Sequence, residues 1–467
     1  MNRKRLLIAL AVVALAALVL APAALASAGG GSAGFGGGGG GEGGGGGGNG
    51  FALYIIIQLL VRIAVLGHGL GALVLLGLAI IYFIFTRVVP QAPRFWSSQG
   101  RSGTAQRHRT AQRARRVAMA AAVAADEDEA FAPEAVKANA TALFKQVQAA
   151  WDHADRARLS KLVAPDLLVE WERRLDDMER RGWHNHVEVL GEPTVEYLGL
   201  SRRGNASEDS VTVRIEAKLR DYVVDRSGNH LKRAGRFGET VHLREFWTLK
   251  LGPNGRWMLA SIEQGAEGSH VLQDDIITGA DSDEKSMRDE ALIEGAVADA
   301  VPANVQVAEV ADLEYEGDAR AAALDLSLAD GRFAPDVLEV AARRAATAWA
   351  EAVDGDDARL RSVAHGQAVR DLLHPGDPSG RTRLVVRGPK VEKIRITGLD
   401  AAAQPPTMTV EVQLHGRRYL EDRDTTQVLA GSQSRATTFT EHWTFALDGD
   451  ARQPWLLTAA GGPVPQA

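Results

Sequence analysis

Two glutamates lie inside apolar, alternating stretches of this sequence, where a carboxylate could act as a general base. Counting in twos along residues 241–249 places Glu245 on the same face as Trp247, and Glu441 stands in the same way beside Trp443. Burial raises the pKa of a carboxyl group, so an inward glutamate in a cavity can accept a proton from a substrate. No histidine, lysine or second acid accompanies both glutamates at a matched position. We therefore predict structural carboxylates and no catalytic residue.

Aromatic residues recur beside these glutamates, and their spacing fits either a pocket for an apolar ligand or the core of a repeated fold. A pocket for an acyl chain needs large apolar side chains around a few polar groups. A repeated fold also needs aromatic side chains at matched positions, and this is the interpretation we favour. On the pocket interpretation the lining residues are Trp151, Glu245, Trp247, Trp257, Glu441 and Trp443.

Two histidines two residues apart, His184 and His186, would share one face of a strand and so offer a pair of zinc ligands. No His-x-x-x-His motif accompanies them, and the chain contains no cysteine. The absence of cysteine excludes disulfides, thiolate catalysis and iron–sulfur clusters. The glycine run at 29–50 lacks the Gly-Lys-Ser/Thr ending of a phosphate-binding loop. The sequence therefore predicts no metal and no cofactor.

Charge is divided unevenly along the 467 residues, although the whole chain carries only −6. Residues 1–125 hold twelve lysines and arginines against one acid, Glu42, a net charge of +11. The remaining residues, 126–467, therefore carry −17. Nucleic-acid binding is disfavoured, because the part of the chain that should fold is acidic and the basic residues gather elsewhere.

The basic part of the chain has the pattern of a membrane-directed segment. Residues 1–27 have a basic start, an apolar run and a small-residue cleavage site, typical of a signal peptide, with an uncleaved signal anchor as the alternative. Residues 28–50 form a glycine-rich linker that we expect to be disordered. Residues 51–86 are apolar, and as one helix they would measure about 54 Å against a hydrocarbon core of about 30 Å. The spanning helix is therefore placed at about 63–86.

A basic stretch follows the membrane segment and sets its orientation. Residues 87–129 carry no acid before Asp126, and we expect them to form a juxtamembrane helix or stalk. By the positive-inside rule, the rest of the chain lies on the cytoplasmic side of the cell membrane, after one pass if the signal is cleaved and two if it is retained. The helix either lies on anionic lipid headgroups or is a solvated stalk whose arginines only determine topology. Its basic residues are Arg107, Arg109, Arg113, Arg115 and Arg116.

The acidic remainder contains two related segments, 130–275 and 331–467, separated by an acidic linker at 276–330 with one helix. Each copy begins with Phe-Ala-Pro followed by an acid, the pattern of a helix with proline at its first position. In both copies a Thr-Val pair precedes a tyrosine by ten residues, at Tyr222 and at Tyr419. We therefore predict a tandem repeat of one domain.

The sequence of each copy predicts helices followed by strands. Apolar residues occupy every second position from Val211 to Leu219, which predicts a strand with one solvated face. Three or four such strands follow two helices in each copy, with polar hairpins between them. This order predicts an α+β fold in which the helices pack on one face of a curved antiparallel sheet.

The segment 245–249, EFWTL, with 256–264, RWMLASIEQ, resembles the C-terminal domain of the mitochondrial inner-membrane translocase subunit 44, and more closely the bacterial members of that family. The resemblance covers residues 131–264 well and 333–461 more weakly. It implies a cone-shaped α+β fold similar to the nuclear transport factor 2-like superfamily, and hence two tandem cone-shaped domains. Mitochondrial members bind cardiolipin-rich surfaces and hold a chaperone and a channel together.

The layout and the resemblance together predict a membrane-anchored, non-enzymatic binding or scaffold protein. Its partners would be anionic membrane lipids and a protein that the sequence does not name. The alternative is a small-molecule-binding or isomerase-like enzyme that uses the cone cavity of the first domain. A homo-oligomer is compatible with either function.

Overall fold

The computed structural model of the protein describes residues 28–30, 99–205, 208–232, 238–265, 267–302, 318–352 and 357–465, with side chains from residue 112 onward in the basic helix. The predicted signal peptide, most of the glycine-rich linker and the predicted membrane segment lie outside the described residues. Among the described helices, none combines the length and apolar character needed to cross a membrane. The described residues from 112 onward and residues 28–30 belong to one compact unit.

Four helices open the first domain, and local sequence explains where they start and stop. The α2 and α4 helices begin with proline at the first position, and the Asp155 side chain caps the start of α3. Gly182 ends α4 in the left-handed conformation. The helix predicted in the basic stretch is confirmed. The four helices are α1 (Gln99–Glu127), α2 (Pro133–Asp152), α3 (Arg156–Leu159) and α4 (Pro165–Arg181).

The first domain continues as an antiparallel sheet, as predicted. The strand β3 is central, because it pairs with four others: β1, β2, β4 and β5, while β6 pairs with β5 at the edge. The alternation predicted in β3 is confirmed, since Val211, Val213, Ile215 and Leu219 are all buried. The strands are β1 (His184–Val189), β2 (Thr194–Ser201), β3 (Ser210–Val224), β4 (His230–Leu231), β5 (Thr240–Leu251) and β6 (Trp257–Gln264).

The second domain repeats this order with fewer, longer strands. Its sheet has four strands in sequence order, and the long β7 pairs with β8 over the positions that β1 and β2 occupy against β3 in the first domain. The elements are α5 (Glu284–Ala298), α6 (Ala319–Ser327), α7 (Pro335–Glu351), α8 (Ala358–Arg361), α9 (Gly366–Leu373), β7 (Thr382–Asp400), β8 (Thr407–Asp422), β9 (Val428–Ala446) and β10 (Leu456–Gly461).

Matched aromatic contacts show that the two domains are copies of one unit. The rings of Phe131 and Trp257 meet edge to face with centroids 5.3 Å apart, and those of Phe333 and Trp455 do the same at 5.4 Å. Each indole nitrogen also donates a hydrogen bond to the carbonyl of the residue before its phenylalanine, at 3.2 Å in the first copy and 2.8 Å in the second. The start of α2 in the first copy, and of the helix Pro335–Glu351 in the second, is thereby held against the end of its own sheet.

Both cores extend beyond the segments expected from the sequence. Val117, Ala121 and Ala124 of α1 lie in the first core, so this core begins before residue 130. The segment expected as an acidic linker contributes α5 and α6 to the second core, where Ile293 and Leu326 are buried. The helix predicted in that segment is therefore part of the second domain, and α6 is an addition that the sequence pattern did not indicate.

The two domains pack against each other through buried charges. The carboxylate of Glu170 on α4 accepts a hydrogen bond from Arg423 at 2.9 Å. A second contact lies beyond β6, where Arg387 of β7 donates to Glu267 at 3.1 Å and the Tyr419 hydroxyl donates to the same carboxylate at 2.7 Å. Because buried charges are costly unless they are paired, this complementarity fixes which surfaces of the two copies meet.

Candidate functional site

The interior of the first domain is filled by aromatic side chains rather than open to solvent. Trp151 and Trp247 are at most 1% exposed, and the indole of Trp247 donates to the Glu245 carboxylate at 2.8 Å. Glu245 points inward, as predicted, and is 1% exposed itself. Trp257 packs against Phe131 at the end of the sheet. These four candidates therefore have structural contacts in the first domain.

The second domain differs, because its inward glutamate borders a cavity of about 250 Å³. Glu441 lies 2.9 Å from Arg418, and Trp349 and Gly462 also line the cavity. Burial raises the pKa of Glu441 to about 7, although Arg418 acts in the opposite direction. Trp443 stands beside Glu441 in the sequence but is 1% exposed in the core. The sequence suggested a carboxylate-lined cavity in the first domain as the alternative, whereas the structure has such a cavity in the second domain, beside Glu441.

The basic residues of α1 do not share one environment. Arg113 is buried and donates to the carbonyls of Leu198 at 2.9 Å and Asp274 at 2.8 Å. It therefore holds α1 against the first domain and does not face a lipid surface. Arg115 and Arg116 are exposed, as a lipid contact requires. The side chains of Arg107 and Arg109 lie outside the described residues.

A narrow slot between α2 and α4 of the first domain contains a piece of the chain's own glycine-rich segment. The backbone nitrogen of Ala28 donates to the Gln148 side chain at 3.1 Å, and the carbonyl of Gly29 accepts from Arg174. Gln148 and Ala28 are both buried. The slot therefore holds a turn of the backbone through buried polar side chains that would otherwise lack these hydrogen-bond partners.

The slot selects a glycine at the position of Gly29. This residue has a φ of +83°, and a Cβ atom built on it would lie 2.6 Å from the indole nitrogen of Trp171. Any other side chain would meet both the backbone strain of a positive φ and the indole ring of Trp171. We call Gln148, Trp171 and Arg174 the glycine slot.

Residues 117–264 match the family model described as the Tim44-like domain. The first domain is a Tim44-like domain. The match includes Val117 to Glu127 of α1, in agreement with the burial of that helix in the first core. The resemblance seen at 131–264 in the sequence is thereby confirmed and extended to the preceding helix. None of the curated proteins compared with the chain matches it significantly.

Two solved structures are similar to parts of the chain. The intermembrane-space region of the chloroplast protein ARC6 is 11% identical, with 27% of this chain and 95% of that one covered and a TM-score of 0.22. An NTF2-like protein involved in plasmid conjugation is 10% identical, with 71% and 98% covered and a TM-score of 0.18. TM-scores of this size carry no weight beside the family match.

Sequence reasoning missed the glycine slot, because its parts come from distant positions. Gln148 and Trp171 each fall on the apolar face of a helix and read as ordinary core residues. Arg113 was detectable, since Arg113, Val117, Ala121 and Ala124 follow one another at helical spacing. That pattern marks the buried face of α1, whereas Arg115 and Arg116 lie outside it.

Proposed function

We propose that this protein is a membrane-anchored, non-enzymatic scaffold that holds a partner polypeptide at the cytoplasmic face through the glycine slot of its Tim44-like domain. A Tim44-like domain fits a membrane-associated binding role. The observation that carries the proposal is the seating of Ala28 and Gly29 in the slot, with two backbone groups bonded to buried side chains. A partner would enter with a short segment of the same chemistry, small residues around a glycine.

Membrane insertion would control access to the slot. A chain that crosses the membrane once between residues 51 and 86 has residues 28–30 on one side and the Tim44-like domain on the other. The contact and the single crossing therefore exclude each other in one molecule. We infer that the slot is filled in cis before insertion and becomes open to a partner afterwards. The arginines that follow residue 86 support the cytoplasmic placement of the domains.

A labelled peptide of residues 27–36, SAGGGSAGFG, tests this proposal with the full chain in nanodiscs, where both faces are accessible. We expect saturable binding, and at least about tenfold weaker binding of the same peptide with Gly29→Val, because a non-glycine residue at positive φ costs about 1–3 kcal/mol. Because the substitution is made in the peptide, the same unaltered protein is used in both measurements. Equal binding of both peptides, or binding of neither, would refute the slot as a recognition site.

The orientation has its own test. In spheroplasts, external protease should leave the C-terminal domain intact, and cleavage of that domain from outside would overturn the proposed topology. The alternative function, use of a cone cavity for a small molecule, now rests on Glu441 in the second domain. A small apolar compound that stabilises the wild type but not Glu441→Gln would favour that alternative.

A further inference from the structure

Two histidines stand side by side on one face of β1, next to an open groove. The rings of His184 and His186 have centroids 4.4 Å apart. Between them, Asn185 turns to the opposite, buried face. His186 also lies against the ring of Tyr222 on the neighbouring strand, with centroids 5.1 Å apart. The sequence indicated this pair but no further ligand.

The third group comes from the end of α2, which no sequence spacing indicates. Asp152 is the last residue of that helix, and its Oδ1 lies 3.2 Å from Nδ1 of His186 while accepting from the Val187 backbone at 2.9 Å. Donor atoms of Asp152, His184 and His186 all lie within 4.8 Å of one another. Ligands of one zinc ion are about 3.4 Å apart at normal bond lengths, so the three donor atoms lie only slightly farther apart than they would around an ion.

Helix electrostatics favour a cation at this place. The C-terminal end of a helix carries partial negative charge, so a carboxylate there is unfavourable unless a positive charge is close. Asp152 adds a full negative charge at that end of α2. A bound divalent cation would compensate both the helix end and the carboxylate.

A buried hydrogen-bond network holds the three donor residues in place relative to one another. The indole of Trp151 donates to the side chain of Asn185 at 2.8 Å, and Asn185 donates to Asp221 at 2.9 Å. Trp151 precedes Asp152, and Asn185 separates the two histidines. The helix end and the strand are therefore fixed to each other from behind, which limits how far the three donors can move apart.

The second domain shows that the fold itself does not require these donors. Tyr222 pairs with His186 and the equivalent Tyr419 pairs with Val385, so Val385 occupies the position of His186. By the same register Arg383 corresponds to His184, and Ala350 follows Trp349 as Asp152 follows Trp151. A copy without any of the three donors has the same architecture.

We propose that Asp152, His184 and His186 form a binding site for a divalent transition-metal ion, with zinc as the reference ion. Two imidazoles and one carboxylate are ligands that zinc accepts, and three protein ligands leave further coordination positions for water or another molecule. Those positions face a groove of about 570 Å³ that Lys145, Glu188 and Tyr222 also line. Gln148 of the glycine slot also lines this groove, but none of the three donors belongs to the slot, and the metal site does not depend on the proposed scaffold function.

Zinc titration of the tag-free full chain in detergent, in competition with a chromogenic chelator, tests the site. We expect one ion per chain, and at least about 100-fold weaker binding in His186→Val, since even partners outside the ligand sphere change metal affinity by about 10–100-fold. Asp152→Asn retains an acceptor for the Val187 backbone but loses the charge, and it should weaken binding as well.

His242→Val is the matched control, because His242 is an exposed histidine on β5, and it should bind zinc like the wild type. Circular dichroism without zinc should show that all variants melt near the wild-type temperature, as expected from a second domain that has valine and alanine at these positions. Zinc binding that is absent from the wild type, or equal in all variants, would overturn the site and leave only a hydrogen bond between His186 and Asp152.

Discussion

His270 lies where the two domains meet and is held between two acids. Its Nε2 lies 2.7 Å from Glu263, and its Nδ1 lies 3.6 Å from Asp274. Burial alone would lower its pKa, but the hydrogen bonds and charges of Asp274 and Glu263 outweigh burial and raise the pKa to about 9. The imidazole is therefore protonated at neutral pH in the folded protein, and Arg387 adds a second cation beside Glu263.

The raised pKa of His270 predicts a pH-dependent contribution to stability. A histidine with a folded-state pKa above its unfolded value of 6.5 stabilises the fold fully below pH 6.5, and this stabilisation is lost as pH rises through 9. We expect His270→Gln to cost up to about 3 kcal/mol at pH 6 and much less at pH 10, measured by denaturant unfolding. His242→Gln, which removes an exposed histidine on β5, is the control for the substitution itself. A cost independent of pH would contradict the assignment.

At the scale of elements, α1 has two faces with different roles. Arg113 belongs with the buried residues that dock the helix on the Tim44-like domain, while Arg115 and Arg116 lie on the exposed side. The first role is a finding from the contacts of Arg113 with Leu198 and Asp274. The second, contact with anionic lipid, stays a prediction.

Separate substitutions distinguish the two faces of α1. Arg115→Glu with Arg116→Glu should lower the anionic lipid that co-purifies with the full chain, because each basic residue near a membrane surface contributes about 1 kcal/mol. Lipid mass spectrometry measures this, and melting temperature should stay near wild type. Arg113→Ala should lower the melting temperature and leave the amount of co-purified anionic lipid nearly unchanged. Equal lipid in all variants would make the exposed arginines topology determinants only.

Helices and strands were predictable from the sequence wherever a periodic pattern of apolar residues marks them. Contacts between residues that are distant in the sequence were not predictable. The alternation of β3 and the proline-initiated helices identified the fold class, and the repeated Phe-Ala-Pro motif and the matched Thr-Val to Tyr spacing identified the repeat. The third donor near His184 and His186 was hidden because Asp152 lies more than thirty positions earlier. The interdomain contacts were hidden for the same reason, since Glu170 and Arg423 are both charged residues that read as solvated until the two copies pack together.

At the scale of the whole molecule, the interdomain charges decide whether the two domains behave as one body. Glu170 is fully buried, and although burial raises its pKa, the charges of Arg383, Arg423 and Arg174 outweigh this and lower it. The carboxylate is therefore ionised when the domains are packed. Without it, the three arginines would face one another in the interface with less compensation.

Glu170→Gln should destabilise the chain by about 3–5 kcal/mol, the usual cost of removing one partner from a buried ion pair. Hydrogen exchange should show the loss at α4 and at the end of β8, where the domains meet. Glu179→Gln on the same helix removes an exposed acid and should cost no more than about 1 kcal/mol. If both substitutions cost the same, the buried network would not be what joins the domains.

The interface between the copies also has a direction. The first copy contributes α4 and the segment after β6, whereas the second contributes β7 and β8, so unlike surfaces meet. On the surface of the second copy, Arg383 corresponds to His184 of the first copy, and Tyr419 corresponds to Tyr222. The groove beside β1 in the first copy is therefore equivalent to the surface through which the second copy contacts the first. A heterologous contact that is repeated between chains forms a closed ring or an open filament, depending on the rotation from one chain to the next. In either assembly, each junction of this kind would cover the two histidines.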